Sequence, residues 1–129
     1  MTKNRNPVEI DFNPEFQRAL SLIEDTDKHI FITGRAGTGK STLLNYFHHH
    51  TKKRVVILAP TGVAAVNVGG QTIHSFFHFK PGVTLAAIRK KRATGKEKKS
   101  IYKKLTSIVI DEISMVRAVY WIAWISFCV

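Results

Sequence analysis

The sequence predicts a layered α/β domain with a parallel sheet flanked by helices. Three short, apolar, β-rich runs, "HIFITG" (29–34), "RVVILAP" (54–60) and "SIVIDE" (107–112), read as buried strands. Stretches of helical period separate them, and strands alternating with helices imply parallel pairing. At 129 residues and 44% hydrophobic, the chain is one globular domain at most, long enough to bury more than half of its unfolded surface.

Each element has its own signal. "PEFQRALSLIEDT" (14–26) sets Phe16, Ala19, Leu20 and Ile23 at helical spacing, with Asn13 and Pro14 as start signals. "HIFITG" is closed by glycine, as expected of a buried strand. "GKSTLLNYFHHH" (39–50) reads as a helix with Leu43, Leu44 and Phe47 inward. "RVVILAP" is stopped by Pro60. "TGVAAVNVGGQTIHSFFHF" (61–79) suggests two helical pieces broken at Gly69 and Gly70. "TLAAIRKKRATGKEKKSIYKKL" (84–105) is basic and helical around a break at Gly95, and "SIVIDE" is the last strand.

Residues 34–41, "GRAGTGKS", match the phosphate-loop pattern G-x-x-x-x-G-K-[ST], with an expected strand before and a helix after. Gly34, Gly37 and Gly39 let the backbone curl, so that N–H groups through Ala36, Thr38 and Thr42 face a phosphate without side chains in the way. The helix adds its positive N-terminal end. Lys40 brings a full charge to β- and γ-phosphates, and Ser41 a hydroxyl for Mg²⁺. A glycine-rich turn that fits by chance is the bland alternative, and the strand-loop-helix context argues against it. At the other end of the chain, "SIVIDEISM" delivers Asp111 and Glu112 at the carboxyl end of a strand, where open α/β sheets bind ligands. Asp111 suits Mg²⁺, and Glu112 suits accepting a proton from water that attacks the γ-phosphate. Together these motifs predict a P-loop domain that binds a nucleoside triphosphate with Mg²⁺, with Lys40, Asp111 and Glu112 as its catalytic residues.

"FITGRAGTGKSTLL", "APTGVAAVNVGGQTIHSFF" and "VIDEISMV" resemble motifs I, Ia and II of the PIF-type, RecD-like superfamily 1 DNA helicases, which move 5′ to 3′ on single-stranded DNA. The resemblance runs from about Phe12 to Val116. It implies a RecA-like fold and ATP-dependent helicase activity for the family, whose members are usually monomeric. It also implies that the nucleotide is ATP, that Gln17 reads adenine and that motif Ia meets single-stranded DNA. Thr61, Gly62, His74 and Phe76 are the candidate DNA contacts. The residues themselves leave two readings of Phe76, Phe77 and Phe79 open: platforms for unstacked bases, or core. By the resemblance, residues 1–117 form the N-terminal part of a RecA-like ATPase domain, incomplete at its C-terminal end and without the second motor domain that supplies an arginine to the γ-phosphate. Three outcomes stay open for the chain: a truncated helicase ATPase, a nucleotide- or DNA-binding fragment without turnover, or the inert product of a damaged gene.

Charge agrees with a polyanionic partner. The formal net charge is +11, from 20 Lys and Arg against 9 Asp and Glu. Residues 89–104 hold nine of those cations: Arg89, Lys90, Lys91, Arg92, Lys96, Lys98, Lys99, Lys103 and Lys104. His48, His49 and His50 point in different directions from a helix, which argues against a shared metal. A single cysteine, Cys128, excludes an internal disulfide and a cysteine-rich zinc site. The start of the chain carries no apolar leader, so the cytoplasm is the expected compartment.

Residues 118–129, "AVYWIAWISFCV", differ from everything before them. These 12 uncharged residues are too few for a membrane span of about 20, so no membrane association is expected. The abrupt change suggests a one-base deletion near Ala118. Restoring one base in the back-translated codons yields Asp, an aliphatic residue, Leu and Asp in succession. Apolar positions then fall at i, i+1, i+4, i+7 and i+8, the stripe of a surface helix. The expectation is an aberrant apolar tail, and sequencing the gene tests it.

Overall fold

The computed structural model describes residues 10–94 and 99–118. Most of the suspected tail, residues 119–129, and the Gly95 break lie outside the described residues. The chain divides into two compact units, Met1–His50 and Thr51–Val129.

The first unit holds α1 (Pro14–Asp25) and α2 (Lys40–His50). Helix α1 starts where the sequence places it. The Asn13 side chain accepts a hydrogen bond from the Phe16 N–H at 2.8 Å, and Pro14 fills the first helical turn, where no N–H is needed. Its apolar stripe, Phe16, Ala19, Leu20 and Ile23, is half-buried. The rings of Phe12, Phe16 and Tyr46 meet edge to face at 5.1 to 6.1 Å, which joins the start of α1 to α2. Leu43, Leu44 and Phe47 are buried, as their spacing requires.

The predicted strand at 29–34 does not form. The segment pairs with no strand, and Phe31 is 75% exposed. Its apolar run has the composition of a strand, but a strand exists only through a partner, and pairing is not a property of local sequence.

The second unit carries the parallel sheet. It contains β1 (Val55–Ala59), α3 (Gly62–Val68), β2 (Gln71–Thr72), α4 (Ile73–Phe77), α5 (Leu85–Thr94), α6 (Lys99–Lys104) and β3 (Ser107–Ile110). Strand order is β2-β1-β3, with all pairings parallel. Central β1 is apolar on both faces, and Ile57, Leu58 and Ala59 are buried. Edge strand β3 is half-buried throughout.

Strand β2 was not expected. Helix α3 ends on Gly69, whose φ of 65° gives the left-handed cap. The chain then passes β1 so closely that a Cβ on Gly70 would collide with the Ile57 carbonyl oxygen. Glycine there lets Gln71 and Thr72 align with Leu58 and Ala59. Beside the sheet, Val56, Leu58, Ile73, Phe77, Phe79 and Ile88 form one core cluster, with Phe76, Tyr102 and Leu105 packed against it.

Candidate functional site

In the first unit, residues 34–40 form a bent loop that feeds the N-terminus of α2. Gly37 and Gly39 have φ of 80° and 95°, a region that side-chain-bearing residues enter only at a cost. A Cβ on either would meet no atom within 4 Å, so it is backbone conformation, not crowding, that calls for glycine. Gly34 is different. A Cβ there would lie 2.8 Å from the Thr38 hydroxyl, which donates to the Arg35 carbonyl at 2.8 Å and staples the loop. Sequence reasoning gave Thr38 only a backbone role.

Lys40 folds back over this loop. Its ammonium donates to the Gly34 carbonyl at 2.5 Å and to the Arg35 carbonyl at 2.9 Å. Ser41 and Thr42 follow in the first turn of α2, both exposed. Ala36 and Gly37 lie at the exposed crest of the bend. The loop thus gathers an ammonium group, a hydroxyl and a helix start around a backbone bared of side chains, which is the donor set a polyphosphate requires. Upstream, the Gln17 side-chain amide donates to the Phe12 carbonyl at 2.8 Å. That bond fixes the amide's orientation and leaves its oxygen and one N–H available. An amide five residues from a turn carbonyl gives no sequence signal.

At the end of α2, the Nδ1 atoms of His49 and His50 lie 2.7 and 2.8 Å from the Asn45 and Tyr46 carbonyl oxygens. A carbonyl only accepts, so both rings carry hydrogen on Nδ1. Among the described residues, no group of three or more His, Cys, Asp or Glu could hold a metal by itself.

In the second unit, Asp111 stands at the carboxyl end of β3, its N–H held by the Leu58 carbonyl at 2.9 Å. Glu112 then turns sharply, with φ 53° and ψ 46°, and caps a single 3₁₀ turn, Ile113–Met115. A left-handed glutamate is uncommon and costs on the order of 1 kcal/mol. It leaves Glu112 exposed while Asp111 is half-buried.

The motif Ia residues sit on two short helices of the same unit. Thr61 caps α3, its hydroxyl oxygen accepting from the Ala64 N–H at 3.2 Å. Its own O–H hydrogen stays available to donate. Gly62 is exposed, and Val63 and Val66 beyond it are 76% and 81% exposed. On α4, His74 is half-buried. Phe76 is half-buried too, edge-on to Phe77 at 5.0 Å and to Tyr102 at 5.4 Å. Phe77 and Phe79 are core, at 2% and 7% exposure. Among the described residues, no helix is long and apolar enough to cross a membrane.

A parallel sheet flanked by helices, together with a glycine-bent loop that opens a helix on lysine, defines a RecA-like α/β protein of the P-loop class. Similarity to known proteins narrows this. A family model described as PIF1-like helicase matches residues 13–123, and the chain belongs to that family. It is 41% identical over 111 residues to the ATP-dependent DNA helicase Pif1 of Bdellovibrio bacteriovorus, covering 84% of this chain and 25% of the relative. Among solved structures, Bacteroides Pif1 in complex with ADP-AlF4 superposes with a TM-score of 0.76 at 36% identity, covering 89% of this chain and 27% of that one. Bacteroides Pif1 bound to single-stranded DNA superposes with a TM-score of 0.69 at 31% identity, covering 89% and 26%. The chain thus spans a quarter or less of the length of the first curated relatives it matches, at 22%, 25% and 12%.

Proposed function

We propose that this chain is the N-terminal, nucleotide-binding part of an ATP-dependent DNA helicase. The observation that carries the reading is the loop at 34–40, with Gly37 and Gly39 at positive φ and the Lys40 ammonium held over the bend. Residues 34–42 bind the phosphates of ATP: the backbone N–H groups and the α2 N-terminus hold the anionic oxygens, and Lys40 exchanges its two carbonyl partners for them. Gln17, already oriented by the Phe12 carbonyl, presents a donor and an acceptor to the adenine edge. Ser41 in the first unit would offer its hydroxyl to Mg²⁺, and Asp111 in the second is the candidate carboxylate ligand. When bound, ATP-Mg²⁺ would supply the phosphoanhydride whose hydrolysis powers movement, and Glu112 is the candidate group to take a proton from water.

Single-stranded DNA is the proposed partner of the motif Ia face. The exposed Thr61 hydroxyl and Gly62 backbone suit a phosphate, and His74 with the exposed side of Phe76 suits a base. The similarity to Bacteroides Pif1, solved with single-stranded DNA bound, supports this reading.

Lys40→Ala tests the nucleotide reading. A hydrogen bond to a charged group contributes about 1.5–3 kcal/mol, or roughly 10- to 150-fold in affinity. The expected effect lies toward the lower end, because Lys40 must first give up two carbonyls. Isothermal titration of the 129-residue chain with ATP-Mg²⁺ measures it, and equal affinity in both proteins would sink the proposal.

A further inference from the structure

The amino-terminal edge of the sheet lies opposite the strand ends that carry Thr61 and Asp111. Two segments enter there side by side. Residues 51–54 lead into β1 and residues 103–106 into β3, in parallel register with Val55 beside Ser107. Hydrogen bonds extend the ladder past its last rung. The Arg54 N–H donates to the Thr106 hydroxyl oxygen at 3.0 Å, and the Thr106 N–H to the Arg54 carbonyl at 2.9 Å. This fixes the backbone of Arg54 beside that of Thr106, two residues past the helix end that carries Lys103 and Lys104, although 52 positions separate Arg54 from Thr106 in the chain.

The three cations are exposed, as is Lys52 two residues before Arg54. They do not sit on loose chain. Helix α6, which carries Lys103 and Lys104, is anchored by Tyr102. The Tyr102 ring packs on Phe76 at 5.4 Å and on Phe77 at 5.7 Å, and its hydroxyl donates to the Phe76 carbonyl at 3.3 Å. The unit's described carboxylates stand apart from Arg54, Lys103 and Lys104. Among its described residues the only carboxylates are Asp111 and Glu112, four residues along β3 from Ser107, which is about 13 Å at 3.3 Å per residue. Like charges gathered on one edge repel one another, and a polyanion laid across them removes that repulsion and releases condensed counterions.

We propose that Arg54, Lys103 and Lys104 form a second nucleic-acid contact, a phosphate-backbone cradle on the edge of the sheet opposite the motif Ia face. It reads charge and no base, since its three contacts are cations suited to phosphate. The nucleotide reading does not bear on it, because none of the three residues belongs to the loop at 34–42.

The test uses the 129-residue chain, a short fluorescently labelled DNA duplex and the variant Arg54→Gln/Lys103→Gln/Lys104→Gln, followed by anisotropy at two salt concentrations. Between about 50 and 200 mM salt, each phosphate held makes affinity fall roughly 3.5-fold, so the variant's affinity should fall about 40-fold less than that of the wild type. ATP affinity should be unchanged in the variant, which separates this proposal from the previous one. The charge-retaining variant Arg54→Lys/Lys103→Arg/Lys104→Arg should bind the duplex like the wild type. A measurement on the wild type alone guards against misfolding: bound duplex should protect Lys103 and Lys104 from an amine-reactive label. Identical salt dependence in wild type and glutamine variant overturns the cradle. So does full labelling of both lysines under saturating duplex, or binding to phosphatidylserine vesicles with none to DNA.

Discussion

Phe77→Ala separates a packing role from a DNA-binding role for the aromatic run at 76–79. Phe77 is 2% exposed and touches three rings: Phe76 edge-on at 5.0 Å, Phe79 stacked at 5.4 Å and Tyr102 at 5.7 Å. Truncating a buried phenylalanine to alanine costs about 3–5 kcal/mol. The upper half of that range applies here, because the neighbours cannot collapse into the gap. The Tyr102 hydroxyl is tied to the Phe76 carbonyl, and the Phe79 N–H to the His74 carbonyl at 2.9 Å. For a unit of this size each kcal/mol moves the melting point by about 4–8 °C, so the drop should be on the order of 16 °C or more. Against a total stability of roughly 5–15 kcal/mol, that is enough to leave a marginal unit unfolded at 37 °C. Circular dichroism melts of wild type and variant, with and without ATP-Mg²⁺, measure it. A midpoint within about 4 °C of wild type, joined to a loss of single-stranded DNA affinity, would refute the packing argument and make Phe77 a base platform.

Gly70→Ala should lower the melting point more than any exposed substitution, because its Cβ meets the Ile57 carbonyl and would pry β2 from β1; a melt matching wild type contradicts the close approach. Glu112→Gly should keep or raise stability by up to about 1 kcal/mol, since glycine tolerates φ 53°; a lower urea midpoint argues against strain at that turn. The 129-residue chain assayed alone should hydrolyse ATP at no more than a trace rate, because an arginine supplied from outside is worth about 10³–10⁵ in rate. DNA-stimulated turnover abolished by Glu112→Gln would show that this chain needs no such arginine.

What could be read from the sequence tracks how local the governing physics is. The loop at 34–41 was legible because backbone conformation demands glycine at fixed positions, and Gly37 and Gly39 do take positive φ. The Asn13 cap was legible for the same reason: a cap is settled within three residues. Strands β1 and β3 announced themselves as apolar runs. "HIFITG" made the same announcement and forms no strand, while polar Gln71 and Thr72 made none and do pair with β1. Composition says which segments tolerate a sheet, whereas partners decide which ones join it. The rings of Phe76, Phe77 and Phe79 were equally ambiguous until Tyr102 was seen across from them.

Charge makes the same point about function. Counted along the chain, the cations of 89–104 form a single run, and Arg54 stands outside it. In the fold, the last two members of that run, Lys103 and Lys104, close helix α6 just before β3. The pairing of Val55 with Ser107 sets Thr106 beside Arg54, and with it the helix end that carries Lys103 and Lys104. A linear run of lysines predicts only a diffuse field, strong at long range and indifferent to position. Cations brought to one edge by a strand register, one just before β1 and two at the end of the helix that leads into β3, predict a site with a countable salt dependence. A single strand register turns the first into the second, and the residue that secures it is Thr106, which carries no charge at all. Its hydroxyl accepts from the Arg54 N–H and donates to the Arg54 carbonyl at 3.2 Å. Thr106→Val should therefore loosen the junction and weaken duplex binding while leaving every cation in place.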